Sequence, residues 1–238
     1  MENPELSIIL PTLNERENLA VLIPGIEKFF HQVKHEIIIV DDNSTDNTSG
    51  LALELNKTYG NIRFITRKNK RGIGSALHEG YDFARSGIIL SSDADLSFSV
   101  KDMKKLFDKI IEGYDLVVGC RHSIRGSYYE MKDLRTTIKG LISKLGNNAL
   151  KILSGLNIDD FSANFRAIKK DSWNVLEIDE NTNVMLFEMI IKAKHKGLKI
   201  AQVPVTFVDR VYGQSKLNLM IEIPKAFLKT CYYLIKYR

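Results

Sequence analysis

Short apolar runs alternate with longer segments of helical period through the first half of this chain. Leu6-Ser7-Ile8-Ile9-Leu10, Glu36-Ile37-Ile38-Ile39-Val40, Ile62-Arg63-Phe64-Ile65, Ile88-Ile89-Leu90 and Asp115-Leu116-Val117-Val118-Gly119 are β-branched or apolar and bounded by polar or glycine-bearing stretches, so they read as strands. Between them the pattern predicts helices over 15–30, from about 46, over 73–85 and over 101–111, the second opened by Asp46-Asn47-Thr48 as an N-cap. This βα alternation predicts an α/β fold, a mostly parallel central sheet with helices on both faces. After Gly119 the rhythm changes. Residues 120–132 are polar and irregular, 134–153 read as a long helix, and Phe165-Arg166-Ala167-Ile168 and 199–205 read as later strands around a helix at 185–196. A polar stretch with Gly213 then leads to a tail of helical period over 219–237. No internal repeat, low-complexity tract or linker divides the chain, which predicts one domain over 1–238.

The chemistry-bearing residues fall at the ends of these strands. Asp93-Ala94-Asp95-Leu96-Ser97 follows the fourth, Pro11-Thr12-Leu13-Asn14-Glu15 the first, and Asp41-Asp42-Asn43-Ser44-Thr45-Asp46 the second. Open parallel sheets bind ligands at their carboxyl ends, so all three segments face one crevice. Side chains alternate across an extended strand, so Asp93 and Asp95 can meet one cation only if the backbone turns at Ala94. Hard divalent ions take carboxylate oxygens together with those of a substrate diphosphate. Asp, Asn and Ser also favour plain turns; three such segments at successive strand ends argue for a site.

Composition narrows the partners. The 238 residues carry a formal charge of +5, a pI near 9.0, 44% hydrophobic and 26% charged residues, which is an ordinary globular balance with a basic lean. Phosphate-bearing ligands or an anionic membrane surface fit that lean; no nucleic-acid-binding motif is present. The two cysteines, Cys120 and Cys231, have no metal-like spacing and point to a reducing, cytoplasmic setting. The first residues lack the pattern of a signal peptide, and no run is long enough for a spanning helix.

Taken together, residues 7–15, 40–46 and 93–97 resemble the inverting glycosyltransferases of family 2, with their nucleotide-diphospho-sugar transferase (GT-A) fold. The basic, glycine-bearing loop Arg67-Lys68-Asn69-Lys70-Arg71-Gly72-Ile73-Gly74 fits the same family. The late segment Arg210-Val211-Tyr212-Gly213-Gln214-Ser215-Lys216 is similar to that of dolichyl-phosphate mannose synthases and related polyprenyl-phosphate hexosyltransferases.

The resemblance implies a nucleotide-sugar-binding half (1–119), an acceptor-binding half (120–218) and a C-terminal amphipathic helix (219–238). It puts Mg²⁺ or Mn²⁺ on Asp93, Asp95 and Ser97, with Ala94 between them against the donor. Pro11, Leu13, Glu15, Val40 and Asp42 would surround the nucleoside. Arg121, Arg210 and Lys216 would engage the donor phosphates, and Arg121 and Arg135 the acceptor phosphate, because guanidinium binds phosphate bidentately. Asp95, Arg121 and Arg210 would carry catalysis. The implied reaction is transfer of a hexose, GDP-mannose before UDP-glucose, to a polyprenyl or dolichyl monophosphate. Transfer to a glycan or lipid hydroxyl, or a non-catalytic nucleotide-sugar-binding module, are the alternatives. A lipid monophosphate is already anionic and needs no base, whereas a hydroxyl would need one.

The aromatic and basic tail suits an interfacial helix on a membrane, or a helix packed on the core. The expected location is the cytoplasmic face, peripheral, with a membrane-anchoring partner conceivable because such relatives continue into membrane-spanning helices. Three positions depart from the pattern or stay open. Phe98-Ser99 stands where relatives carry His-Pro, and Ser162-Ala163-Asn164-Phe165-Arg166 where they carry Ser-Gly-Phe-Arg. Glu188 either orients sugar hydroxyls or pairs with a lysine. His78 and His195 are expected to have no catalytic role, and Trp173 to be core.

Overall fold

A computed structural model describes residues 3–68, 72–210, 212 and 219–237, the last segment by backbone alone over 219–225. Lys216 lies outside the described residues, as do Asn69, Lys70 and Arg71 of the basic loop. The order is β1 (Leu6–Thr12), α1 (Arg16–Phe29), β2 (His35–Asp41), α2 (Thr48–Tyr59), β3 (Ile62–Thr66), α3 (Ile73–Phe83), β4 (Ile88–Ser91), α4 (Val100–Ile111) and β5 (Leu116–Cys120). It continues with β6 (Tyr128–Tyr129), α5 (Leu134–Ser154), β7 (Arg166–Lys169), α6 (Lys170–Leu176), α7 (Met185–His195), β8 (Ile200–Pro204), β9 (Thr206–Phe207) and α8 (Leu219–Lys236).

Seven strands form one sheet in the order β3-β2-β1-β4-β7-β5-β8, parallel except for β7, which runs antiparallel to both β4 and β5. The side-chain period of two divides the core between its faces. Ile8 and Leu10 of β1 pack on one face with Leu22 and Ile26 of α1 and Leu106 of α4, whereas Ile9 between them packs on the other with Leu77 of α3 and Ile190 of α7. The expected helix-covered parallel sheet is therefore present, and all five predicted early strands are in it.

The later half departs from the expectation in two places. Residues 120–132 are not wholly irregular: Tyr128–Tyr129 pairs in parallel with Thr206–Phe207 as a small second sheet. The short helix α6 directly follows β7 and buries Trp173 and Leu176. Two-residue strands carry no periodicity, and a seven-residue helix shows barely two turns of it, so neither leaves a pattern to read.

Candidate active site

Strand order places the crevice. The chain runs β1, β2, β3 outward in one direction, then α3 carries it back to β4 on the far side of β1. The carboxyl ends of β1 and β4 diverge at that reversal, the position where open α/β sheets take ligands. Pro11 and Val40 are register partners at the end of β1 and β2, followed by Thr12 and Asp41. Asn14 and Asn43 adopt φ of 57° and 59°, a conformation asparagine tolerates. The loops they turn are laced together by Asn14 N–H to Ser44 Oγ at 2.7 Å and Thr45 N–H to Asn14 Oδ1 at 2.8 Å. Asp41 is committed to this lacing, accepting from Ser44 N–H at 2.9 Å, while Asp42 faces Arg67. Glu15 accepts from Asn18 Nδ2 at 2.5 Å, and Leu13 is half-buried beside it.

The acidic segment bends at 94–96, with Leu96 at φ 64°. A left-handed leucine costs about 1–2 kcal/mol, and it is held by what the bend achieves. Ala94 is buried, Asp95 is buried, and Ser97 donates to Asp95 Oδ1 from both its N–H, at 3.1 Å, and its hydroxyl. Ser97 thus supports Asp95. Asp93 keeps part of its surface open although protein surrounds its carboxylate, and Asn164 Nδ2 donates to its Oδ1 at 3.0 Å. Burial first, then the neighbouring Asp95 charge, pushes the Asp93 carboxyl up to about 7. Two crowded carboxylates of this kind are short of positive charge.

Arginines approach from the second half of the chain. Val208 N–H donates to Ser97 O at 3.0 Å, laying the segment after β9 along the acidic loop, and Arg210 Nη2 reaches Asp95 Oδ2 at 3.1 Å. Arg121, just past β5, forks onto fully buried Asp160 through Nε at 2.7 Å and Nη2 at 2.9 Å, and Nη2 also reaches Ser162 Oγ at 2.8 Å. Arg121 holds the Asp160 carboxyl down at about 2 despite burial. Aromatic rings floor this region: Phe98 stacks on Phe165 at 4.2 Å, Phe207 meets Phe98 and Tyr129, and the Arg121 guanidinium lies 5.4 Å from the Phe207 ring. The Phe98-Ser99 departure is therefore structural, with Ser99 capping α4 by accepting from Asp102 N–H.

Not every expected residue joins this cluster. Arg135 stands exposed in the first turn of α5, beside its capping residue Asp133. Glu188 is fully buried and its carboxylate is taken by Lys192 at 2.7 Å and by the N–H groups of Asp179 and Glu180, so it is the lysine-paired reading that the structure supports. Arg166 is buried and pins the 161–163 turn through Phe161 O and Ala163 O. Trp173 packs in the core, as expected, with its Nε1–H on Asp82, and His78 contacts Asp82 and the Trp173 ring.

Three residues to which the sequence reading gave no individual role stand in or beside the crevice. Asp160 sits in an unremarkable Asp-Asp pair, and nothing in the spacing announces that it orients Arg121. Arg67 belongs to a basic run in which only its place one residue past β3 marks it as inward-facing. It is buried, pairs with Asp42 at 3.0 Å and with Glu79 at 3.6 Å, and donates to Ser75 at 2.6 Å, and its Nη1 has no hydrogen-bond partner among the described residues. Gly74 permits the neighbouring approach of the 181–182 backbone, since a Cβ there would lie 2.2 Å from Thr182 O. Asn164 is the third.

The residues suit a divalent cation. Among the described residues no third His, Cys, Asp or Glu converges on Asp93 and Asp95. One or two carboxylates with the remaining oxygens drawn from substrate phosphates and water is the coordination Mg²⁺ favours.

A mostly parallel sheet with an acid pair at its switch point is the architecture of GT-A glycosyltransferases. Residues 7–173 match the family model for glycosyl transferase family 2, and the chain belongs to that family. It is 32% identical over 214 residues to a dolichol-phosphate mannosyltransferase of Pyrococcus furiosus, an alignment covering 90% of this chain and 59% of that one. It is 30% identical over 218 residues to a polyprenol monophosphomannose synthase of Mycolicibacterium smegmatis, covering 89% and 80%. The chain thus spans 59% of the length of the first of these relatives. Its fold superposes on glucosyl-3-phosphoglycerate synthase from Mycobacterium tuberculosis in complex with Mn²⁺, UDP and phosphoglyceric acid, with a TM-score of 0.69 at 18% identity, covering 98% of this chain and 78% of that one. A complex of the same enzyme with Mg²⁺ and UDP superposes with a TM-score of 0.69 at 19% identity, covering 96% and 80%.

Proposed function

We propose that this protein transfers mannose, with inversion, from GDP-mannose to a polyprenyl or dolichyl monophosphate. The carrying observation is the Asp93–Asp95 pair at the switch point with Arg210 already on Asp95. A departing nucleoside diphosphate accumulates negative charge, and preorganised cationic donors at that place stabilise it more than they stabilise the bound sugar nucleotide. Asp93 and Asp95 would hold Mg²⁺ or Mn²⁺, which when bound supplies Lewis-acid withdrawal of charge from the diphosphate. Pro11, Val40, Asp42 and Arg67 form the nucleoside end of the crevice, and Leu13 and Glu15 line its rim. Arg121, with Nε and Nη2 held by Asp160, presents Nη1 to a phosphate, and Arg135 and Lys216 add charge for acceptor and donor. The acceptor phosphate is anionic near neutral pH and attacks without a base. Asp95, Asp160 and Glu188, each engaged by a cation, are in keeping with that economy.

A lipid substrate needs a membrane-facing surface. On α5, Leu134, Ile138, Leu141, Ile142 and Leu145 are exposed at helical spacing, while Thr136, Gly140 and Asn147 face inward. Such an inverted helix belongs at an apolar interface. Phe227, Leu228, Tyr232 and Ile235 of α8 are also exposed, and an apolar groove of about 630 Å³ runs between the end of α5, α7 and α8. No helix among the described residues is long and apolar enough to cross a membrane. We place the protein on the cytoplasmic face, where nucleotide sugars are at hand, with any anchoring partner seated along α8.

The test is a panel of GDP-mannose, UDP-glucose and GDP-glucose with polyprenyl phosphate or polyprenol, with and without chelator. Transfer from GDP-mannose to the phosphate only, lost in chelator, is expected. Equal transfer to polyprenol would overturn the acceptor, and full activity in chelator would overturn the cation.

A further inference from the structure

Asn164 belongs to the turn Ser162-Ala163-Asn164-Phe165-Arg166 and sets an amide side chain against the acidic pair. It is 4% exposed and comes from the turn just before β7, the antiparallel strand beside β4. Its Nδ2 donates to Asp93 Oδ1 at 3.0 Å, which leaves Asp93 Oδ2 as the carboxylate oxygen with no such restraint. Its own Oδ1 is buried and has no hydrogen-bond partner among the described residues. A buried carbonyl left unmet costs about 1–3 kcal/mol, and such exceptions call for a ligand or a strain that accounts for them. The surroundings are otherwise well satisfied: Asp160 alone accepts from Arg121, Asn147, Ser162 and Ala163. The unmet oxygen belongs to the same amide whose nitrogen holds Asp93.

We infer that Asn164 is a positioning residue for the diphosphate-bound cation, an inference that rests on the function proposed above. Its N–H fixes the Asp93 carboxylate in one orientation, so that a free oxygen is presented toward the Asp95 side before any ligand arrives. Its Oδ1 is kept for a hydrogen-bond donor that enters with the donor substrate, a water of the cation or a sugar hydroxyl. Supporting groups of this kind hold a ligating carboxylate in place, and their removal costs 10–100-fold in metal affinity. The backbone at Asn164 is not left-handed, so Ala is tolerated there without strain.

Mn²⁺ binding to the parent protein, Asn164→Ala and Asn164→Gly, read by electron paramagnetic resonance with saturating GDP and in parallel with UDP, tests this. The variants are expected to keep the parent's melting temperature within a few degrees while Mn²⁺ affinity falls 10–100-fold. Asn164→Gly serves where Asn164→Ala does not fold. Mn²⁺ affinity within twofold of the parent in a folded variant would overturn the role of Asn164 and leave the proposed function standing. A parent that takes up no Mn²⁺ with either nucleotide would overturn both.

Discussion

The two ends of the crevice solve the same electrostatic problem in opposite ways. At the end proposed for the nucleoside, Asp42 meets Arg67 at 3.0 Å within the first half of the chain, with the half-exposed Glu79 at 3.6 Å beyond it, so the buried Asp42 has its countercharge before any ligand arrives. At the end proposed for the phosphates, Asp93 and Asp95 crowd one another, and the cations that answer them come from the second half: Arg210 on the segment after β9 and Arg121 past β5. An end with its countercharge already in place binds uniformly and contributes affinity. An end short of positive charge gains most when a diphosphate and its cation arrive together, which is where transition-state stabilisation is obtained. On the proposed function, the contrast gives affinity to one end and turnover to the other.

The sharpest way to break that assignment is Asp95→Ala. It removes a carboxylate and releases Arg210, and turnover should fall about 10²–10³-fold, equivalent to about 3–4 kcal/mol in the barrier. Arg210→Ala should lower it by roughly one to two orders of magnitude, as expected for a charge-assisted contact of about 1.5–3 kcal/mol. Steady-state kinetics with the donor concentration varied separates the two ends. A loss confined to donor KM in both variants would mean that the phosphate end also binds uniformly.

The same division explains what could be read from the residues alone. The first half is built of consecutive βα units, so period-2 and period-3.6 patterns place each strand, and chain order then delivers Pro11, Asp42 and Asp93 to a common edge. The second half is assembled by long-range pairing. Thr206–Phe207 finds Tyr128–Tyr129 across most of that half, and Arg121 finds Asp160 across 39 positions. Neither pairing has a local pattern. Arg210 was legible only through its family resemblance. Asn164 was visible as a departure, but its contact with Asp93 depends on β7 entering the sheet antiparallel beside β4, which no local periodicity specifies.

Asp160→Asn probes the scaffold of the second half. Arg121 holds the Asp160 carboxyl at about 2, below its ordinary 3.8. A depressed carboxyl stabilises the folded state above its unfolded pKa, and that contribution is lost as pH falls from about 4 through about 2. The shift corresponds to on the order of 2 kcal/mol at neutral pH. Urea unfolding of parent and Asp160→Asn should therefore differ by at least about that amount at pH 7, with the gap closing in acid. A gap that is constant from pH 7 to 2.5 would show that the Asp160 charge does not hold Arg121. Turnover should fall less than in Asp95→Ala, because the guanidinium remains and only its orientation is loosened.

The smallest effect belongs to the nucleoside end. Arg67→Lys keeps a cation opposite Asp42 but loses the fork that reaches Ser75 and carries the unpartnered Nη1. A lysine offers a point charge in place of a planar set of donors. If Nη1 meets the base of the bound nucleotide, donor KM should rise about tenfold, equivalent to about 1.4 kcal/mol, with kcat unchanged. The fold should hold, since the buried carboxylate keeps its countercharge and the penalty for an unpaired buried ion does not arise. Comparing GDP-mannose with UDP-glucose in this variant sharpens the result. A donor that binds equally well to Arg67→Lys and to the parent makes no use of Nη1, and a fall in kcat at unchanged KM would move Arg67 to the turnover end and dissolve the contrast.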